Sequence, residues 1–387
     1  MRKIERRIRQ LGRCKFPKGI DLTLLKKQPR VTGSRGLSVS GEFSDVWFVF
    51  ENDEKAIYKT YDNLSLTNRN NKFIKKIRIY NELLCAKLCD IMGVGHAKYE
   101  RAYYNDTNGL ISYNVLGDRE SMTSIINNTS HLGDFIDYLK EKEKLNDEQI
   151  RLIVHKLYTY MLFDIRTLQT DRNRNNVPLA RDNITGELRV TELLDCEYAY
   201  LANNMIAGNY GGDNFFGVYD KKSPVEVENI INAYNDKMSY GSYYTLCVYK
   251  CLDERTIDNR IEECCSLAAM SPEFNSILKH FMESFDLERA ISELEDEGVV
   301  PSKGYKEYIL AIDKYIKERF EYHIERMQDS SKKYTESVPL DYRSLADRVE
   351  IMHMLSMARS GSKNISDSIE ESYREFYYNV NHHYPLK

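Results

Sequence analysis

The chain has 387 residues, of which 42% are hydrophobic and 29% charged, and its net charge is −4. This composition is ordinary for a folded protein and far from that of disordered chains, and the length allows two or three domains. No run approaches the roughly 18 consecutive apolar residues of a membrane-spanning helix, and the N-terminus lacks the apolar core of a secretory signal. The sequence therefore predicts a cytoplasmic protein without a transmembrane segment.

Positive charge is concentrated at the N-terminus, where residues 1–30 contain eleven Lys or Arg against two acidic residues. Apolar residues recur in this segment at helical spacing, at Ile4, Ile8 and Leu11. Two interpretations are open: the segment packs one apolar stripe on its own domain and solvates its charges, or it contacts nucleic acid, lipid headgroups or an acidic partner. We assign residues 1–36 to a basic N-terminal arm.

Residues 37–118 carry the pattern of a small sheet crossed by one helix. Alternating apolar and polar residues between about 37 and 61 predict two strands joined by a polar turn at 51–54. Apolar residues at three- and four-residue intervals then predict an amphipathic helix over 72–92. Residues 97–104 and 109–116 predict two further strands, so this region forms the predicted N-lobe.

Residues 119–387 are predicted to be mainly helical. A strongly periodic helix over 147–168 precedes the polar run TDRNRNN, and two short strands follow at 177–182 and 187–195. Long helical patterns occupy 273–297 and 303–328. The expected fold class is α+β: a two-lobed protein-kinase-like fold with a small sheet-rich N-lobe and a large, mainly helical C-lobe.

Chemically distinctive residues occur in an order that suits phosphoryl transfer. This reaction needs a cation on the phosphates, carboxylates for magnesium, and a carboxylate near the attacking hydroxyl. Lys59 lies near the end of a predicted strand, where a fixed ammonium would reach phosphate oxygens. Glu82, 23 residues later on the predicted helix, is the candidate to pair with Lys59 and orient it.

Two further motifs supply the remaining groups. Asp171 and Asn176, within TDRNRNN, have the Asp-x-x-x-x-Asn spacing of a kinase catalytic loop, in which the aspartate accepts or positions the hydroxyl proton and the amide oxygen helps to hold a metal. Asp195 ends the apolar segment ELLD, where a second magnesium-binding carboxylate is expected. The order of these groups along the chain, more than any one of them, indicates a phosphotransferase.

These segments resemble the HipA-like serine/threonine kinases, whose core is also similar to that of phosphatidylinositol kinases. The resemblance runs through LSVSGEF, IYK, NELLCAKLCDIMGV, LFDIRTLQTDRNRNN and LLDCEY, over roughly residues 37–200. It implies that Ser38, Ser40 and Gly41 form a loop over the phosphates and that Lys59 contacts ATP. Asp171 would be the catalytic carboxylate, and Asn176 and Asp195 would be the magnesium ligands. Glu197 would add a carboxylate to the metal shell, and a serine of the loop would itself be open to phosphorylation.

The expected function is therefore an ATP- and Mg²⁺-dependent kinase acting on a Ser or Thr hydroxyl of a protein, in a toxin or effector setting. The resemblance also implies an inhibitory companion protein. Two alternatives stay open: a lipid or small-molecule kinase on the same core, and a non-catalytic pseudokinase or nucleic-acid-binding module that uses residues 1–30.

Overall fold

A computed structural model describes residues 12–29, 46–60, 71–105, 107–123, 132–169, 179–201 and 256–331, together with Val227, Ile231 and Leu345. The described chain has a sheet-rich N-terminal part and a helical C-terminal part, which is the predicted two-lobed kinase-like α+β architecture. The strands are β1 (Ile20–Asp21), β2 (Lys26–Pro29), β3 (Val46–Val49), β4 (Lys55–Lys59), β5 (Tyr99–Tyr104), β6 (Thr107–Tyr113), β7 (Glu120–Thr123), β8 (Leu179–Asp182) and β9 (Leu188–Val190). The helices are α1 (Asn71–Met92), α2 (Leu132–Glu141), α3 (Asp147–Arg166), α4 (Ile257–Met270), α5 (Pro272–Ser284), α6 (Leu287–Asp296) and α7 (Lys303–Ser331).

The N-lobe is a curled six-stranded sheet with the strand order β1-β5-β6-β4-β3-β2. Strands β1 and β2 follow one another in the chain but lie on opposite edges of the sheet. The curl brings β2 and β3 close to β5, the neighbour of the other edge strand. Lys27 on β2 donates to the hydroxyl of Tyr104 on β5 at 3.0 Å, and the ring of Phe48 on β3 contacts that of Tyr104. A second sheet, β7-β8-β9, lies in the C-lobe.

The two faces of the N-lobe sheet enter different apolar cores, because successive side chains of a strand point to opposite faces. One face contributes to a small core inside the curl, formed by Leu22, Phe48, Ala56, Tyr58, Ala102 and Ile111. The other face carries Lys59, which lies opposite Leu110 on β6. Leu110 belongs to the main core with residues of α1, α3 and the C-terminal helices. Lys59 is thereby directed towards the large lobe.

Helix α1 packs into the main core on the large-lobe side of the molecule. It contacts α5 and α6, and Ile77, Tyr80, Leu84 and Leu88 on its apolar face are fully buried. Helix α3 begins at a capping box, in which the Asn146 side chain accepts from the Gln149 backbone and the Gln149 side chain accepts from the Asn146 backbone. This cap fixes the start of the helix that leads to the TDRNRNN segment.

The described part of the predicted N-terminal arm is integrated into the fold. Residues 20–21 and 26–29 form edge strands of the N-lobe sheet, Cys14 is buried in the main core, and Lys15 exchanges two backbone hydrogen bonds with Val300 at 2.7 and 2.9 Å. The described part of the segment thus contacts both lobes. Strands of two and four residues are too short to show an alternating pattern, which explains why the sequence did not reveal them.

The other predicted elements are confirmed where the structure describes them, with two differences in their bounds. The pattern over 273–297 is two helices, α5 and α6, because Asp286 caps a new helix by accepting from the Arg289 backbone. The strand predicted over 187–195 ends at Val190, so Asp195 follows an irregular segment. Strand β7 was not predicted. Within the ranges that the structure describes, no helix is long and apolar enough to cross a membrane.

Gly109 is predicted to be essential for the position of β4. A Cβ added to Gly109 would lie 2.2 Å from the carbonyl oxygen of Lys59 and 2.8 Å from the ring of Tyr58. Gly109→Ala should therefore lower the free energy of unfolding by at least about 1–3 kcal/mol, the usual cost of overpacking a core. Gly95→Ala is the matched control, because the nearest atom to its added Cβ is 3.8 Å away on the Glu192 side chain. Equal denaturation midpoints for the two variants would contradict the packing described here.

Candidate active site

Lys59 is the centre of a buried ion cluster between the lobes. It is the last residue of β4, and its Nζ lies 2.6 Å from Oε1 of Glu82 on α1 and 2.5 Å from Oδ1 of Asp195. The ion pair with Glu82 that the sequence predicted is therefore present. The side chains of Lys59 and Glu82 are 1% and 0% exposed, whereas that of Asp195 is 18% exposed. Asp195 is thus the member of the three that a ligand in solution can reach.

Glu82 binds the backbone after Asp195 as well as Lys59. Its second carboxylate oxygen, Oε2, accepts a 2.9 Å hydrogen bond from the backbone N–H of Cys196. One carboxylate therefore connects strand β4 to the chain that follows Asp195. Hydrogen bonds to a charged acceptor are stronger than those between neutral groups, so the ammonium and the Asp195 segment are held in one arrangement.

The backbone of Asp195 has an unusual conformation that its neighbours hold in place. Its φ is +56°, in the left-handed region that few residues other than glycine adopt. Its N–H donates to the hydroxyl of Tyr99 at 3.1 Å, and its carbonyl accepts from Nε2 of Gln169 at 2.8 Å. The Tyr99 ring also lies 5.5 Å from Nζ of Lys59. A costly conformation that is fixed from both sides is typical of a functional position.

The segments that lead to TDRNRNN and away from Asp195 are linked directly. Besides the bond from Gln169, the N–H of Tyr200 donates to the carbonyl of Thr167 at 2.6 Å. Leu168 and Tyr200, like Asp195, have positive φ values, of +48° and +53°. Positive-φ backbone is thus concentrated where these two segments meet, and Leu168 lies three residues before Asp171 in the sequence.

A second ion pair lies behind Lys59. Arg78, one turn before Glu82 on α1, donates through Nη2 to Oε1 of Glu197, and its guanidinium lies over the ring of Tyr198. Oε2 of Glu197 is 3.8 Å from Nζ of Lys59. Burial raises the pKa of Glu197 to about 7, although the charges of Arg78 and Lys59 act in the opposite direction. The Glu197 carboxylate thus lies between two cations, the guanidinium of Arg78 and the ammonium of Lys59.

The charges of the cluster favour an added cation. Lys59 and Arg78 are positive, whereas Glu82, Asp195 and Glu197 are carboxylates, so the cluster has one more negative than positive group when all are ionised. This excess negative charge favours a cation at the exposed carboxylate of Asp195, and carboxylate oxygens are the ligands that Mg²⁺ prefers. Among the described residues, no group of three or more His, Cys, Asp and Glu side chains is arranged to hold a metal ion.

The remaining predicted site residues, Ser38, Ser40, Gly41, Asp171 and Asn176, lie outside the described residues. Of the predicted set, the structure brings together Lys59, Glu82 and Asp195. Sequence reasoning missed Arg78, Tyr99 and Gln169. For Arg78 a signal existed, because a charged residue four positions before Glu82 lies on the same helix face.

The fold and the ion cluster define the class of protein: a two-lobed, kinase-like α+β protein with a lysine held between a helix carboxylate and a strand-following aspartate. The Helicobacter pylori proinflammatory kinase CtkA has a similar fold, with a TM-score of 0.52 and 12% sequence identity over 82% of this chain and 100% of the other. A chain of the Shewanella oneidensis HipA–HipB toxin–antitoxin complex with operator DNA aligns over 81% of this chain and 70% of the other, at 12% identity and a TM-score of 0.38, which is too low to support a shared fold by itself. No protein family and no curated protein matches the sequence.

Gln169 is predicted to stabilise the Asp195 conformation. Gln169→Leu keeps the size of the side chain but leaves the Asp195 carbonyl without this donor, which should lower the free energy of unfolding by about 1–3 kcal/mol. Thr167→Val is the control: it removes a buried hydroxyl whose acceptor, the Phe163 carbonyl, also accepts from the Thr167 N–H. Chemical denaturation of both variants measures the difference, and a loss for Thr167→Val as large as for Gln169→Leu would contradict the prediction.

Proposed function

We propose that this chain is a kinase that uses ATP and Mg²⁺ to phosphorylate a Ser or Thr hydroxyl of a protein. The observation that carries the proposal is the position of Lys59 between buried Glu82 and partly exposed Asp195. A lysine held by a helix glutamate, beside an aspartate that can bind a metal, is the arrangement that phosphoryl transfer uses in protein kinases. The name of the Helicobacter pylori protein, a kinase of similar fold, supports the same class of reaction.

Each residue has a distinct role in this proposal. Lys59, oriented by Glu82, presents its ammonium to the α- and β-phosphate oxygens. Asp195 and Asn176 hold Mg²⁺, which when bound neutralises the phosphate charge that develops during transfer. Asp171 accepts or positions the proton of the acceptor hydroxyl.

The segment with Ser38, Ser40 and Gly41 is proposed to cover the phosphates. Gly41 lacks a side chain, so its backbone can approach the phosphates closely and direct N–H groups at them. Ser40 would then lie beside the transferable phosphate, where a kinase can modify its own loop. A phosphate on Ser40 would repel the nucleotide through its negative charge.

The partners belong to the same proposal. The motifs shared with HipA-like kinases support an inhibitory companion protein. The eleven basic residues among residues 1–30 support a nucleic-acid contact, whose affinity should fall steeply with added salt.

Asp195→Asn is predicted to lower the rate of phosphate transfer by at least about 100-fold, the scale on which a single electrostatic contact in an active site acts. The measurement is the transfer of labelled γ-phosphate from ATP, with Mg²⁺, to the protein itself and to an extract. Asp90→Asn is the control, since Asp90 is an exposed carboxylate near the C-terminal end of α1 that pairs with His96. Wild-type transfer by folded Asp195→Asn would remove the proposed role of Asp195.

The same assay identifies the acceptor. Mass spectrometry of labelled protein should find phosphoserine or phosphothreonine, and label that enters the lipid or small-molecule fraction would instead favour the alternative kinase on this core. Peptides that contain Ser38 and Ser40 report self-modification. If the wild-type protein transfers no label to the protein, lipid or small-molecule fraction, the pseudokinase alternative is favoured.

A further inference from the structure

The buried pair of Arg78 and Glu197 is fixed from several directions. Arg78 is 0% exposed, and the Glu197 carboxylate contacts both its guanidinium and the ammonium of Lys59. The backbone beside Glu197 is also held: Asn81 Nδ2 donates to the carbonyls of Ala199 at 2.7 Å and of Glu197 at 3.4 Å. Since Glu82 binds the N–H of Cys196, helix α1 fixes the chain on both sides of Glu197.

The charges of the cluster indicate what Glu197 does. When Asp195 turns from Lys59 towards a metal ion, two cations and two carboxylates stay behind: Lys59 and Arg78 with Glu82 and Glu197. This remainder is balanced. If Glu197 also turned to the metal, its pair with a fully buried guanidinium would break, and separating a buried ion pair is far more costly than separating an exposed one.

We propose that Glu197 is a positioning residue and not a metal ligand. Arg78 holds the Glu197 carboxylate beside Lys59, so that Lys59 keeps a carboxylate on two sides, Glu82 and Glu197, after Asp195 has turned to Mg²⁺. Arg78 acts on the lysine only through Glu197. This inference rests on the proposed kinase function and assigns the third carboxylate of the same site.

A double-mutant cycle tests the coupling of the two residues. Arg78→Met, Glu197→Gln and the double variant are compared with wild type in kcat/KM for ATP, corrected for the folded fraction. Each single variant is expected to lose about 10–100-fold, as for other residues that orient groups at a metal site. The kcat/KM of the double variant is expected to equal that of the less active single variant, because the second substitution removes nothing further.

The control is another buried ion pair, Arg260 and Glu263 in α4, with both side chains 0% exposed. Arg260→Met with Glu263→Gln is expected to lower the melting temperature while kcat/KM per folded molecule stays within about twofold of wild type. A purely structural role of Arg78 and Glu197 predicts the same behaviour for their variants. Thermal melts, run on every variant, separate loss of stability from loss of positioning.

Three results would overturn the inference alone in a demonstrably active enzyme. The first is a double variant whose loss of kcat/KM is the product of the two single losses, as expected for a metal ligand that acts independently of Arg78. The second is wild-type kcat/KM in folded Glu197→Gln. The third is a change in kcat/KM and melting temperature that matches the α4 control. Absence of phosphate transfer by the wild-type protein overturns the proposed function, and the inference with it.

Discussion

The ion pair between Lys59 and Glu82 is the interaction on which the rest of the site depends. It joins the last residue of a sheet strand to the middle of a buried helix, and the same glutamate binds the backbone after Asp195. Two ions taken out of water need good geometry and further hydrogen bonds to offset the loss of hydration. Glu82 has such a further hydrogen bond, because its second oxygen accepts from the Cys196 N–H, and Glu197 accepts from Arg78. Removal of any member therefore changes the environment of all the others.

Much of the fold was predictable because its signals are local. The periodicity of α1 and α3 and the alternation in β3, β4, β5 and β6 act over a few residues, and the sequence shows them directly. Lys59 and Glu82 could be paired for a related reason, since 23 residues separate a strand end from the helix that follows it. Such predictions need only the chain between the two groups.

Contacts between distant segments could not be predicted in this way. Arg78 meets Glu197 across 119 residues and Gln169 meets the Asp195 carbonyl across 26, and the partner of each depends on how segments far apart in the sequence pack together. The left-handed backbone at Leu168 had no signal in residue type, and that at Asp195 had only the weak preference of aspartate for this region. The edge strands β1 and β2 were missed because they are too short to show an alternating pattern, and their pairing with β5 and β3 is visible only in the folded sheet.

The division of apolar residues between two cores has a consequence for motion. Lys59 belongs to the sheet, whose curl has a core of its own, whereas Glu82 belongs to a helix whose apolar face lies in the main core beside α5 and α6. If the sheet rotated away from the large lobe to admit or release a nucleotide while α1 kept its place in the main core, the distance between the two charged groups would grow. That distance would then report how far the cleft is open, and a pair of spectroscopic labels on β4 and α1 would measure it.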